Sequence, residues 1–165
     1  MSYAISVWGA APNSSIDRIE KNHKKGLRHV CNAKYNAHTE PLFKRERLLK
    51  LSDLYKLQCV KIMHKKINKK LHPYHTSKLL TNYELTGKYT RNSEEIHINE
   101  LDKTLATVNS INLKIGTLWN ELESEIKNKA HKISITTFTK NVKKMYISKY
   151  SDVCCKENCY ICENQ

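Results

Sequence analysis

Glycine and proline are scarce here: 165 residues carry four of the first and three of the second. Few breakers favour helices with few tight turns between them. Long apolar runs are also missing, and nothing approaches the roughly 18 residues that a transmembrane helix needs. The opening stretch Ala4 to Ala11 is short and has no basic leader, so it makes a poor signal peptide. These absences predict an intracellular chain, nuclear or cytoplasmic, with no membrane partner. Its six cysteines are then expected to be reduced thiols or metal ligands rather than disulfides. Paired acids are equally rare. Glu94-Glu95 is the only adjacent acidic pair and lies in a polar stretch, while Asp17, Asp53, Asp102 and Asp152 stand apart. Two-metal polymerase or nuclease chemistry, which needs converging carboxylates, has no candidate residues.

Basic charge is what the chain has in excess. Lys and Arg number 29 against 16 Asp and Glu, a formal net charge of +13. Residues 1–80 hold 17 basic and 5 acidic side chains, whereas residues 81–165 hold 12 and 11. A basic half joined to a near-neutral half suggests a face for a polyanion, nucleic acid before an anionic membrane surface. The bland alternative is a solvated, lysine-rich helix surface with no partner.

Hydrophobic spacing predicts a mainly α fold. Ile16, Ile19, His23, Leu27 and Val30 fall on one helical face after a start at Ser14, with Asp17 three residues on. Gly26 within that helix suggests a close contact or a bend. Asn32 to His38 reads as a loop. Thr39 is the expected cap of a short helix carrying Leu42, Phe43, Leu48 and Leu49, with Pro41 tolerated in its first turn. Ser52 is the expected cap of a helix from Asp53 to Lys69, whose apolar face is Leu51, Tyr55, Cys59, Ile62 and Met63; Pro73 stops it. Residues 72–95 read as irregular. Apolar alternation at 96–98 and 111–115 suggests short extended segments. Leu118 to Lys129 reads as a helix, and Ser134 or Thr136 caps a last one carrying Phe138, Val142, Met145 and Tyr146. This divides the chain into a basic helical region (1–80), an irregular connector (81–113), a C-terminal helical segment (114–150) and a cysteine-rich polar tail (151–165).

Six short boxes occur in a telling order: Tyr3 to Gly9, His23-Lys24-Lys25-Gly26-Leu27-Arg28, His38-Thr39-Glu40-Pro41-Leu42-Phe43, Leu49-Lys50-Leu51-Ser52-Asp53-Leu54-Tyr55, Tyr89-Thr90-Arg91-Asn92 and Trp119-Asn120-Glu121-Leu122 through Ile126-Lys127. A helix from Phe138-Thr139-Lys140 to Lys149-Tyr150 follows. In this order they resemble the carboxy-terminal region, after the polymerase domain, of jockey-type non-LTR retrotransposon reverse transcriptase polyproteins. The likeness covers about residues 1–150. The family usually carries Gly where this chain has Ala4, Gln and Ala where it has His23 and Gly26, and Pro where it has Glu123; the Tyr89 element is one residue shorter. The family's Tyr/Phe-x-Asp-Asp turn has no counterpart. The resemblance therefore implies a fragment of an RNA-directed DNA polymerase that starts downstream of the catalytic region and does not polymerise alone. It is expected as a truncated or decayed element copy. Alternatives are a structural module docking on the polymerase domain, favoured by an exposed Trp119 face, and a nonfunctional remnant.

Lys24, Lys25, Arg28, Lys44, Arg45, Arg47, Lys61 and Lys65 are the candidate contacts to RNA or DNA backbone. Basic side chains on helices neutralise phosphates with little sequence choice. Tyr89 beside Arg91 is the candidate pair for base stacking and phosphate contact. Trp8 and Trp119 read as core anchors. The chain is expected to need no cofactor. The remaining metal candidate is zinc held by Cys159 and Cys162 with His72 and His75, although the tail's spacing is tight for such a site. Cys31 and Cys59 read as small packed hydrophobes.

Overall fold

The computed structural model describes residues 4–9, 11–98 and 111–152, apart from the side chains of His75 and Thr76. It is mainly helical, without sheet or barrel among the described residues. The helices are α1 (Ile5–Trp8), α2 (Asn13–Val30), α3 (Thr39–Arg45), α4 (Leu51–Ile67), α5 (Pro73–Thr76), α6 (Asn82–Thr86), α7 (Ile111–Asn120), α8 (Ser124–Lys129) and α9 (Ile135–Ser148). No helix is long and apolar enough to cross a membrane.

The shortage of glycine is written into the helix ends. A helix commonly stops on a left-handed residue, usually Gly, whose amide and the next one reach back to free carbonyls. Here Asn32, Arg47 and Lys69 take that position, with φ of 51°, 50° and 55°. After α2, the amides of Ala33 and Asn32 reach the carbonyls of Arg28 and His29 at 2.9 and 3.2 Å. After α3, those of Leu48 and Arg47 reach Phe43 and Lys44 at 2.9 and 3.1 Å; after α4, those of Lys70 and Lys69 reach Lys65 and Lys66 at 2.8 and 2.9 Å. Among the described residues only α6 ends on a left-handed glycine, Gly87 at φ 67°; Gly9, which ends α1, has φ −68°. The left-handed form costs a residue with a Cβ about 1 kcal/mol, so three helices end under mild strain.

The starts differ from those the sequence suggested. α2 begins one residue early, because the Pro12 carbonyl accepts from Ser15 and Ile16 at 3.0 and 3.2 Å. Thr39 and Ser52 lie inside α3 and α4 rather than before them; His38 precedes α3, with no side-chain cap. Helix α4 ends at Ile67, short of Pro73, which instead opens α5. Residues 111–115 are helical, since Ile111, Ile115 and Trp119 also sit at i, i+4 and i+8, and that period places Ile115 and Trp119 inside. Near residues 96–98 the pairing is a single bridge, Thr81 to Ile96. The helix expected over 118–129 breaks at residues 121–123 into α7 and α8. Ser134 does cap α9: its Oγ accepts from the Thr137 amide at 3.2 Å.

The chain divides into two compact units that interleave along the sequence: unit 1 is Met1–Ala10 with Tyr55–Asn141, and unit 2 is Ala11–Leu54 with Val142–Gln165. In unit 1, Phe138 is fully buried, with the His64 ring at 4.6 Å and Trp119 at 6.3 Å between centroids. Burying such a ring stabilises by roughly 2–3 kcal/mol. Asparagine and histidine side chains close this core. The Asn120 amide accepts from the Ile96 amide at 2.9 Å and donates to its carbonyl at 3.0 Å. Asn68 donates to the carbonyls of His64 and Ala130, and His64 Nε2 lies 3.1 Å from that of Ile133. Two glycines allow close approach. A Cβ on Gly116 would come within 3.0 Å of Ile96, and one on Gly9 within 2.3 Å of the Tyr55 ring. Gly26, by contrast, faces open space, so the expected close contact is not what it serves.

In unit 2, α2 packs on α3. Leu27, Leu42, Phe43, Leu49, Leu51, Val142, Tyr146 and Tyr150 are buried. The α2 stripe is shorter than its spacing suggested: Ile16 and Ile19 are half-buried, and Val30 is 81% exposed because the helix ends there. Ionisable groups close this core. The Tyr150 hydroxyl donates to the buried Asp53 carboxylate at 2.7 Å and accepts from the Lys50 amide at 3.0 Å. Lys50 Nζ pairs with Glu40 at 2.9 Å and lies over the Tyr150 ring.

Candidate nucleic-acid interface

The ten proposed contact residues do not fall in one unit. Lys24, Lys25, Arg28, Lys44, Arg45 and Arg47 belong to unit 2, whereas Lys61, Lys65, Tyr89 and Arg91 belong to unit 1. Counted by unit, the charge asymmetry between sequence halves disappears. Unit 1 has 15 basic and 8 acidic residues, net +7; unit 2 has 14 and 8, net +6.

Unit 2 gathers its six on α2, α3 and the residue that ends α3. Their roles differ. Arg28 is a clamp: its Nε donates to the Ala37 carbonyl at 2.7 Å, fastening the loop after α2. Lys24 pairs with Glu20 at 2.6 Å one turn earlier, and Lys44 pairs with Asp152. Arg45 bonds Glu46 at 3.0 Å and also the Cys31 thiol, and these contacts raise its pKa. Lys25 and Arg47 are exposed and have no ion-pair partner among the described residues. Surface pairs such as Lys24–Glu20 contribute at most about 1 kcal/mol, so a phosphate can displace the acid.

His23 sits under this face. Its ring meets the Phe43 edge at 5.1 Å between centroids, and its Nδ1 is buried without a hydrogen-bond partner. Burial lowers its pKa from 6.5, while nearby Glu20 pulls the other way. The spacing of α2 placed His23 on the apolar face, and the structure keeps it there.

In unit 1, Lys61 is half-buried and Lys65 exposed on α4. Tyr89 is 82% exposed and stacks on Tyr83 at 4.4 Å between centroids. The Tyr83 hydroxyl lies against it and raises the Tyr89 pKa, with Glu94 adding to the shift. Arg91 is exposed in the same segment. Sequence reasoning missed Tyr83. The signal was present in Thr81-Asn82-Tyr83-Glu84, a capping box, followed by Gly87. The Thr81 hydroxyl accepts from the Glu84 amide at 3.1 Å, Glu84 accepts from the Thr81 amide at 2.7 Å, and Gly87 turns the chain back so that Tyr89 meets Tyr83. Burial pushes the Glu84 pKa up, but the Lys66 ammonium at 2.7 Å and the Thr81 amide outweigh it, and the net shift is down.

Trp119 is buried, 4% exposed, and Trp8 is half-buried. Cys59 is fully buried and burial pushes its thiol pKa up. Cys31 is only half-buried and lines a cleft rather than the core. No group of three or more His, Cys, Asp or Glu gathers among the described residues. Cys159, Cys162 and the His75 side chain lie outside them, and His72 Nδ1 accepts from the Tyr74 amide at 3.3 Å. No family model, curated protein or solved structure matches this chain.

Proposed function

We propose that the chain binds nucleic-acid backbone, without strong sequence choice, through the α2–α3 face of unit 2, as the carboxy-terminal region of a jockey-type non-LTR retrotransposon reverse transcriptase. The observation that carries the binding is that two packed helices, α2 and α3, carry the exposed cations Lys25 and Arg45 and the half-buried Lys24 and Lys44, with Arg47 exposed just after α3. Arg28 holds the loop between those helices in place. Such a set engages phosphates and releases counterions. The sequence holds no adjacent Asp pair of the kind that two-metal transfer uses, and on this reading nucleotide transfer is not among the chain's own activities.

The family assignment draws support from two positions where the chain departs from the boxes. Ala4 has φ 50°, a backbone that Gly adopts without strain, and Gly is the family's usual residue there. Glu123 precedes α8 with φ −55° and ψ 133°, within proline's range, and Pro is the family's usual residue there. Both backbones suit the residue that the resemblance leads one to expect. An exposed Trp119 face would have favoured the docking alternative, and that indole is buried.

Binding of labelled RNA and DNA across a salt series tests the reading. Affinity is expected to fall with salt with a log–log slope of roughly −3, for three to four phosphate contacts. Lys25→Glu with Arg47→Glu is expected to weaken binding about tenfold or more at low salt. Absent binding at low salt, or binding insensitive to salt, overturns the proposal. Nucleotide incorporation on a primed template by the purified chain overturns its non-catalytic part.

A further inference from the structure

Unit 2 supplies an anion of its own to one of its surface cations. Lys44 on α3 pairs with Asp152, 108 positions further along the sequence. The ion pairs of Lys24 and Arg45 are local by comparison: Glu20 lies one turn before Lys24 on α2, and Glu46 is next to Arg45. Asp152 instead arrives from the segment after α9, and its two predecessors hold it in place. Tyr150 is buried, with its hydroxyl on Asp53 and the Lys50 amide and its ring under the Lys50 ammonium. The Ser151 amide donates to Glu40 on α3 at 3.4 Å. An acid tethered in this way meets its partner at an effective concentration on the order of millimolar, without an encounter from solution.

The pair is also easy to break. The Asp152 side chain is 76% exposed and that of Lys44 27%. A carboxylate so solvated gains little from its lysine, and a strand of linked phosphates, held by other cations as well, can take its place. The sequence continues the complementarity: from Ser151 on it carries Asp152, Glu157 and Glu163 against Lys156 alone, in a chain of net charge +13.

We propose that Asp152 is an internal competitor for a phosphate site at Lys44, covering the ammonium when no polyanion is bound and leaving it when one binds. This rests on the nucleic-acid reading above and adds its regulation: the segment after α9 lowers the affinity of the face that it touches.

The test compares two carboxylate-to-amide exchanges in the full chain. Asp152→Asn removes the competitor. Glu125→Gln removes a matching acid, 77% exposed and paired with Lys129 on α8 in unit 1. Both change the net charge by the same amount, so a bulk charge effect is common to them. Binding of a fluorescein-labelled oligouridylate at low salt is read by anisotropy, and circular dichroism checks that helix content is unchanged. Asp152→Asn is expected to tighten binding about threefold relative to Glu125→Gln. In a Lys44→Ala background the two exchanges should have equal effects. Equal effects with Lys44 present overturn the competition and leave the basic face standing. Weaker binding by Asp152→Asn also overturns it, because the carboxylate would then support Lys44 rather than cover it. A gain that persists with Lys44→Ala overturns Lys44 as the point of competition. Failure of the unaltered chain and of Asp152→Asn alike to bind at low salt overturns the nucleic-acid reading and the competition with it.

Discussion

Unit 1 closes its core chiefly with asparagine amides on backbone groups, and unit 2 closes its own with carboxylate, phenol and ammonium groups. Asn68 and Asn120 in unit 1 bond backbone carbonyls and amides, contacts that no proton adds to or removes. In unit 2 the equivalent work falls to Asp53 with Tyr150 and to Glu40 with Lys50. The net charges of the two units are almost equal, +7 and +6, so the contrast comes from placement rather than amount. Unit 1 takes one lysine, Lys66, into its interior and pairs it with Glu84. Unit 2 instead carries exposed cations on and just after α2 and α3, among them Lys25, Arg45 and Arg47. Amide-to-backbone bonds such as those of Asn68 and Asn120 do not titrate, whereas the carboxylate and ammonium contacts of Asp53, Glu40 and Lys50 depend on charge.

The largest effect tests whether the two cores are otherwise alike. Phe138→Ala in unit 1 and Phe43→Ala in unit 2 each remove a buried ring and are expected to cost about 3–5 kcal/mol in denaturant titrations. A much smaller loss for one would show that its unit has the looser core. Next comes the contrast in polar anchors. Tyr150→Phe leaves the buried Asp53 without that donor and should cost about 1–3 kcal/mol; Asn120→Ala frees the Ile96 amide and carbonyl at a similar cost. Urea titrations of the two variants at neutral pH read both losses directly.

A smaller effect of opposite sign is expected at the helix ends. Arg47→Gly and Lys69→Gly, one in each unit, relieve left-handed residues and should each raise stability by about 0.5–1 kcal/mol. An unequal gain would show that the exposed Arg47 side chain contributes packing. The smallest effect is the response to mild acid. His23 has a folded pKa below its ordinary 6.5, so the unfolded chain takes up the proton first, and stability present above that value is lost as pH falls through the folded one. Glu40, held low chiefly by its Lys50 hydrogen bond, and Glu84 act in the same direction, but below their ordinary 4.5. Between the two ranges His23 should loosen unit 2, and His23→Gln should remove that loss. A slope unchanged by His23→Gln rules out this imidazole as its source.

The helical class was legible from the scarcity of breakers and from apolar spacing, as were the buried Phe138, Val142 and Tyr146 and the capping Ser134. Residues 111–115 were not, because Ile111, Leu113 and Ile115 satisfy a period of two as well as a helical one, and only Trp119 and its burial decide between them. The division of the chain was hidden for a different reason. Tyr55–Asn141 is one run, but unit 2 joins two runs far apart in sequence, and no local pattern records a long-range pairing. In the candidate site, side-chain charge identified the cations, but Arg28's use as a clamp depends on where the Ala37 carbonyl lies. Cys31 shows the same limit. Its neighbours in sequence suggested an apolar face, whereas the left-handed turn at Asn32 sets it beside a cleft.

The hydrogen bond from Tyr150 to Asp53 joins residues 97 positions apart. On a ribosome adding roughly 5–20 residues each second, Asp53 emerges several seconds before its partner exists. Throughout that interval the basic helices of unit 2 are outside the ribosome while the segment that completes their core is still unmade. Both units wait on the end of the chain, unit 1 for Phe138 on α9 and unit 2 for Tyr150 just after that helix. A nascent chain stalled before Tyr150 would present Lys25 and Arg47 on an unfinished scaffold, close to the RNA that encodes it.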